Sequence, residues 1–261
     1  MSDTRAPLSL AAWGTDLQPA ACPRCRATYL VECDAPLPRC PSCFQAALEV
    51  LPGGPQHLAH PYPPELVAPF NLSEAQVSEA TSRFAASIPF APPGLTGPAL
   101  RSHLAALYLP LWLVDGCVSG YWQAEAGFDY EVISHQERYE QNRSSWETKE
   151  VKEQRVRWEN RVGRINRTYQ NVTAPALEEA PHLEKRIGRF ALNSARSFSP
   201  ASIQRACVRL PDRPPQAAWG EAAAAFQKGA AEECQKACGA NRIRQFRWKA
   251  SFSRLNWTLM L

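Results

Sequence analysis

Apolar positions along this chain change period several times, and each change marks a predicted element. The run Thr28-Tyr29-Leu30-Val31 is short, β-branched and aromatic, which predicts a strand. Behind Ser73, a helix is predicted. Ser73 and Gln76 form a capping box, Glu74 sits at the positive end, and Val77, Ala80, Thr81 and Phe84 recur at helical spacing as the packing face. Pro89, Pro92, Pro93 and Pro98 end that helix in a loop. An apolar run over 104–117 follows, and no proline occurs over 111–174. Within that stretch Tyr121, Phe128, Tyr130, Val132 and Ile133 lead to a polar turn at 141–145. Beyond the turn, Val156 and Trp158 share a face, and Val162, Ile165 and Val172 recur. Long, charged, alternating segments of this kind predict antiparallel strands with one wet face. A helix is the rival over 147–161, where Glu and Lys lie two and three apart; strand is preferred. No period dominates 174–215. A second helix is predicted over 217–238, packing through Trp219, Ala223, Phe226, Ala230, Cys234 and Ala237, with Gly239 as its stop. A strand over 242–261 closes the chain.

These elements predict an α+β fold: an N-terminal zinc ribbon, then a larger domain of antiparallel β-strands with two main helices. The expected division is a tail over 1–19, the ribbon over 20–48, a proline-rich linker over 49–70 and the α+β domain over 71–261. The order helix, loop, Trp-bearing strand occurs twice, over 73–112 and 217–257, which hints at a duplicated unit. The chain's last residues, Trp257-Thr258-Leu259-Met260-Leu261, are apolar. Their expected fate is burial, or continuation of the polypeptide beyond them.

The ribbon rests on cysteine spacing. Of nine cysteines, four form two pairs, Cys22-Pro23-Arg24-Cys25 and Cys40-Pro41-Ser42-Cys43, with fourteen residues between them. A two-residue gap lets one tight turn present two sulfurs to one ion, and the proline presets the turn. Two such turns close a tetrahedral thiolate shell around a single structural Zn2+. A redox pair would occur once, at the start of a helix. A ribbon of this size cannot bury enough apolar surface by itself, so the metal is expected to supply its folding energy. Removing zinc should then unfold the ribbon and leave the larger domain intact. Four thiolates leave no open coordination position, so this zinc is expected to be structural and not catalytic. Cys33 is a spare thiol read as a small buried side chain.

Charge alters the picture little. The net charge is +4, from 29 basic and 25 acidic residues, too balanced for a polycation. No window approaches 18 uncharged apolar residues, and the N-terminus has no basic start followed by an apolar run. A cytoplasmic location is therefore expected, or the cytosolic face of a membrane, with membrane contact only through sequence beyond the C-terminus. Two stretches are basic. Residues 138–167 hold nine Lys/Arg against five Glu; 236–254 hold six and no acid, with Phe246, Trp248 and Phe252 interleaved. Alternation puts those rings on one face and Arg247 and Lys249 on the other, so a core face and a wet face is the preferred reading. The alternative is nucleic-acid binding through Arg24, Arg26 and Arg39 of the ribbon with Arg242, Arg244, Arg247 and Lys249 of the last strand.

Chemistry-bearing motifs for nucleotide phosphates, zinc proteolysis, serine hydrolysis and dinucleotides are absent from the sequence. His57 and His60 read as solvated linker residues. Cys234 and Cys238, four apart on the second helix, read as part of a small-residue stripe. A pocket near Asp129, His135 and Glu137 is the one place considered for an enzyme. Otherwise the chain is read as a non-enzymatic binding or scaffold protein that docks an unknown protein partner through its ribbon.

The chain resembles a group of uncharacterised bacterial zinc-ribbon proteins over most of its length. The resemblance rests on CPRC…CPSC, Ala68-Pro69-Phe70-Asn71-Leu72 before a helix, the segment Leu107-Tyr108-Leu109-Pro110-Leu111-Trp112-Leu113-Val114-Asp115, and Phe246-Arg247-Trp248 before a Trp-bearing strand. Some members carry a label taken from the primosomal replication-restart helicase. The ATP motifs of that helicase are missing here, so the resemblance implies a ribbon and no helicase activity. It implies no reaction or catalytic residue. The glycine that often follows a ribbon's CPxC is replaced by Arg26 and Phe44, which puts the turn geometry in question.

Overall fold

The computed structural model describes residues 13–14, 16–52, 63–140, 145–187 and 192–261. Its strands are β1 (Leu17–Ala21), β2 (Thr28–Glu32), β3 (Glu49–Val50), β4 (Leu66–Val67), β5 (Leu107–Tyr108), β6 (Leu111–Glu140), β7 (Ser145–Pro175), β8 (Arg196–Ser197), β9 (Cys207–Arg209) and β10 (Arg242–Met260). Its helices are α1 (Glu74–Ser87), α2 (Gly97–Arg101), α3 (Ala180–Ile187) and α4 (Pro215–Ala237). The fold is mixed α and β, with two sheets and a small ribbon-like region bearing the paired cysteines near the N-terminus. The chain divides into two compact units. The first comprises Met1–Leu113, Thr173–Trp219 and Trp257–Leu261; the second comprises Val114–Val172 and Gly220–Asn256.

In the first unit, one sheet has the order β3-β1-β2-β9-β5. β1 and β2 form an antiparallel hairpin with Leu17 opposite Glu32 and Ala21 opposite Thr28. β2 also pairs antiparallel with β9, Leu30 opposite Val208. β2 is thus an inner strand, which explains why it reads as a continuous apolar run: Tyr29, Leu30 and Val31 are all buried. Leu30 joins a core with Trp13, Val67, Ile203, Val208 and Leu261. Tyr29 and Val31 face the other way, into a cluster with Cys22, Cys40, Leu48 and Cys207. Each such side chain contributes about 1.5–3 kcal/mol through burial.

The sheet reaches beyond the segment expected as the ribbon. The segment 20–48 was expected as a module of its own; its strands instead share a sheet with β9 and β5, from far along the chain. The tail expected over 1–19 contains the first three residues of β1, and Trp13 is buried with its ring edge on Phe198, centroids 5.9 Å apart. Residues 1–12 and 15 lie outside the described residues. The linker expected over 49–70 contributes β3 and β4. Short strands inside proline-rich sequence give almost no periodic signal, because two residues cannot show a period. His57 and His60 lie outside the described residues.

Leu259, Met260 and Leu261 are buried. Met260 aligns parallel with Leu66, Leu66 O accepts from Leu261 N–H at 3.1 Å, and Ala68 N–H donates to Leu261 O at 2.6 Å. Trp112 and Trp257 meet edge to face at 6.1 Å.

Helix α1 begins at the expected capping box: Ser73 Oγ accepts from Gln76 N–H, and Gln76 Oε1 accepts from Ser73 N–H at 2.8 Å. Its packing face differs from the expectation. Val77, Ser78, Thr81 and Ala85 are half-buried, whereas Phe84 is exposed and no residue of α1 is fully buried. Among the described residues α1 packs chiefly on the five-residue α2, and the close approach of Gly97 to Ser82 sets which side of α1 is covered.

In the second unit, β7, β6 and β10 lie in that order, and the strand reading of 147–161 holds. Of the turn expected over 141–145, residues 141–144 lie outside the described residues and Ser145 opens β7. One sheet face carries Trp122, Phe246, Trp248 and Phe252 in successive ring contacts, and Phe226 of α4 packs on Phe252 and Tyr169. The buried stripe of α4 is Ala222, Phe226, Ala230 and Cys234, each four residues on. Ala237, expected on that stripe, is exposed, and Ala223 is only half-buried. Gly163 lies directly beneath the Trp122 ring, and a Cβ on Gly120 would collide with the Lys249 carbonyl of β10. Asn171, Gln245 and Arg254 adopt φ of 55°, 53° and 53° inside strands, the signature of bulges that bend them.

A candidate metal centre

The site starts from two turns of the same construction. In the first, Arg26 N–H donates to Cys22 O at 2.9 Å and Cys22 N–H to Ala27 O at 3.0 Å. In the second, Phe44 N–H donates to Cys40 O at 2.9 Å and Cys40 N–H to Ala46 O at 2.8 Å. Both turns are completed by a residue in the left-handed region, Arg26 at φ 61° and Phe44 at φ 57°. The substitution of glycine at these positions therefore leaves the turn geometry intact and places strain of about 1 kcal/mol or more at each.

The turns bring Cys22, Cys25, Cys40 and Cys43 together, with all four sulfurs within 4.8 Å of one another. Cys22 Sγ lies 3.6 Å from Cys43 Sγ, and Cys25 Sγ lies 3.6 Å from Cys40 Sγ. Four thiolates about 2.3 Å from a tetrahedral ion stand about 3.8 Å apart, so the group fits a metal ion. Cys22 and Cys40 are buried, Cys43 is half-buried and Cys25 is exposed. The amide N–H of Cys25, then that of Arg24, hold the Cys22 thiol down to about 6, which favours the thiolate.

Around the sulfurs lies a polar network that sequence reading missed. The Tyr29 hydroxyl sits 2.7 Å from Ser42 Oγ and 3.6 Å from Cys40 Sγ. Ser42 Oγ donates to Glu179 Oε1 at 3.2 Å. Arg209, only 5% exposed, stands with its guanidinium 5.4 Å from the Tyr29 ring centre. It donates through Nη2 to Asp212 Oδ2 at 2.9 Å and through Nη1 to Thr28 O at 3.1 Å. Its Nε makes no hydrogen bond; the nearest carboxylate there is Glu179 Oε1, at 3.7 Å. Burial raises the Tyr29 hydroxyl well above the usual phenol range, so it stays protonated; with the Ser42 proton given to Glu179, the Tyr29 proton goes to Ser42 Oγ. One signal for this network was visible: Arg209 interrupts the apolar run Cys207-Val208-Arg209-Leu210, and a buried charge needs a partner.

The other predicted positions are not drawn to this site. Cys33 is exposed, not buried as expected, because it follows β2 at the hairpin's open end. Cys234 is buried and its thiol is pushed up to about 11 by burial; among the described residues neither it nor Cys238 joins a group of three or more ligands. His135 pairs with Glu150 at 3.6 Å and Asp129 with Arg242 at 3.2 Å, so both are engaged elsewhere; the Glu137 side chain lies outside the described residues. Arg24, Arg26 and Arg39 are exposed, as are Arg242, Arg244, Arg247 and Lys249. Arg244 is bound to Glu125 at 2.5 Å and stacks on Trp158 at 3.9 Å. No described helix is long and apolar enough to cross a membrane.

The two turns make separate predictions. Phe44→Gly relieves the left-handed strain and should leave unfolding of the metal-loaded protein unchanged or raise its stability by about 1 kcal/mol. Phe44→Val should lower it by a similar amount or more, since a β-branched residue is least tolerant of φ near +57°. Urea denaturation followed by circular dichroism measures both; a glycine variant less stable than the valine variant would contradict the assignment.

Compared with protein-family models, curated proteins and solved structures, the chain matches none.

Proposed function

We propose that this chain is a non-enzymatic binding or scaffold protein of the cytoplasm, in which Cys22, Cys25, Cys40 and Cys43 hold one structural zinc ion and the region around them docks a protein partner. The observation that carries the reading is the close set of four sulfurs on two matched turns. An all-sulfur tetrahedral set favours Zn2+ among the common divalent ions, and thiolates kept free for metal suit a reducing compartment. A filled shell has no position for substrate or water, so the ion holds the fold. Membership of the bacterial zinc-ribbon group named above is part of this proposal.

Docking is supported by Phe44. It is 69% exposed, and it occupies a left-handed position where glycine would cost less. A large ring displayed there at the expense of local strain suits contact with a partner.

The test counts metal and thiols together. Elemental mass spectrometry of the purified chain should give one zinc per molecule. Titration with a thiol reagent should find four more reactive cysteines after chelation than before. Zinc well below one per chain, or fewer than four newly reactive thiols, would refute the closed site.

A further inference from the structure

The second unit carries a feature that the zinc reading leaves unused. The sheet face opposite the aromatic row Trp122, Phe246 and Trp248 is not simply a solvated face. Along its β10 edge the charges sort into two groups. Arg242 is matched by Asp129 at 3.2 Å and Arg244 by Glu125 at 2.5 Å. Beyond the bulge at Gln245 the acids stop. Arg247, Lys249 and, across β6, Arg164 have no carboxylate partner among the described residues. These three cations line a cavity of about 570 Å3 together with Tyr121, Trp122, Val162 and Trp248, and no carboxylate contributes to its lining. Tyr121 is 61% exposed and Val162 is 78% exposed. Arg164 braces the Tyr121 ring, its guanidinium 5.2 Å from the ring centre.

We infer that this face is a binding site for single-stranded nucleic acid, with a base stacked at Tyr121 and backbone phosphates held by Arg164, Arg247 and Lys249. An exposed ring flanked by unpaired cations on an open sheet meets both requirements of a strand that has a π-face and a charge at every residue. An acidic peptide would satisfy the cations and leave the ring and Val162 uncovered. An anionic membrane surface would require apolar side chains that project past the charges, whereas here a single braced ring lies among them. Phe246, Trp248 and Phe252 contact one another along β10; Tyr121, on β6 between the two basic strands β7 and β10, supplies the exposed ring beside Arg164. Within the last strand, Arg247 and Lys249 are placed in the site, and Arg242 and Arg244 are spent on carboxylates.

The probe is a fluorescein-labelled 20-nucleotide oligouridylate, titrated with the zinc-loaded full chain and read by anisotropy between about 50 and 300 mM salt. Three phosphate contacts predict a slope of log K on log salt of about −2. Arg164→Gln, Arg247→Gln and Lys249→Gln should each weaken binding and reduce that slope by about 0.7. Tyr121→Ala should weaken binding about tenfold with the slope unchanged. Arg242→Gln, whose charge is already matched, should change affinity less than twofold. Circular dichroism and zinc content confirm that each variant is folded. The inference fails if the triple Gln variant binds as wild type, or if Arg242→Gln costs as much as Arg247→Gln. It fails equally if the chain ignores the oligonucleotide and binds phosphatidylserine vesicles or polyglutamate instead.

Discussion

Stripping the zinc proposed for the four-cysteine site should melt more than the two turns: protection from amide exchange is expected to collapse at Tyr29, Leu30 and Val31 and also at Val208 and Leu210, some 180 residues away. The sequence alone predicts a narrower outcome, a ribbon that unfolds while everything else stands. The difference lies in β2. It is an inner strand, hydrogen-bonded to β1 on one side and β9 on the other. Leu210 N–H donates to Thr28 O at 3.0 Å, and Cys207 is packed in the same cluster as Cys22 and Cys40. A structural zinc site contributes an apparent ~10–16 kcal/mol to folding, which equals or exceeds the ~5–15 kcal/mol net stability of a typical domain. Losing it leaves four sulfurs crowded within 4.8 Å and removes the closure that holds β1 and β2 in register. Cys22→Ser should reproduce much of the effect without chelator. In the second unit, amides around Phe226 should keep their protection, because their core is made of Tyr169, Phe226 and Phe252 and contains no cysteine of the quartet. Hydrogen exchange read by mass spectrometry, with and without chelator, decides the matter. Retained protection at Val208 after zinc is gone would show that the first sheet stands without the metal.

Much of this was legible in the chain, and what was not has physical causes. The CxxC pairs were legible because two-residue spacing is a property of one turn and needs no knowledge of the rest. The strand character of the second unit was legible in its period-two alternation, but a strand pair was expected across 146–172 where β7 runs unbroken over Ser145–Pro175; α4 was legible because its apolar stripe recurs every fourth residue. The short strands were not. β4, β8 and β9 span two or three residues each, so their identity comes from partners and not from their own sequence. The face of α1 was misread because helical spacing says which residues align, while the neighbour decides which row is covered. The pairing of β2 with β9 was illegible for a related reason: nothing in Thr28-Tyr29-Leu30-Val31 says which strand will lie on its far side. The cations of the last strand could be counted, but whether each meets a carboxylate depends on Glu125 and Asp129 arriving from β6.

The same non-local logic governs Arg209. Its replacement by alanine should cost about 1–3 kcal/mol, from the hydrogen bonds and packing lost with a buried side chain, since Asp212 and Glu179 themselves reach solvent. The side chain is nearly inaccessible, and its removal would leave Asp212 without its 2.9 Å partner, Glu179 without its cation, and Tyr29 without the guanidinium over its ring. Lysine should recover only part of the loss. A single ammonium cannot reach Thr28 O and Asp212 at once through a planar fork, as Nη1 and Nη2 do at 3.1 and 2.9 Å. Cutting back the acid along with the cation should be gentler: Arg209→Met with Asp212→Asn ought to cost less than Arg209→Ala alone, because methionine refills most of the volume and the carboxylate of Asp212 is removed together with its cation. Urea unfolding of the zinc-loaded protein measures all three. The network also reaches the metal through Glu179, Ser42 and the Tyr29 hydroxyl, so Arg209→Ala should release zinc to a chelator faster than wild type. A loss under about 1 kcal/mol with unchanged zinc release would mean that Arg209 merely fills space. A large loss with unchanged release would confine its role to the sheet, and a large loss with faster release would tie β9 to the metal centre.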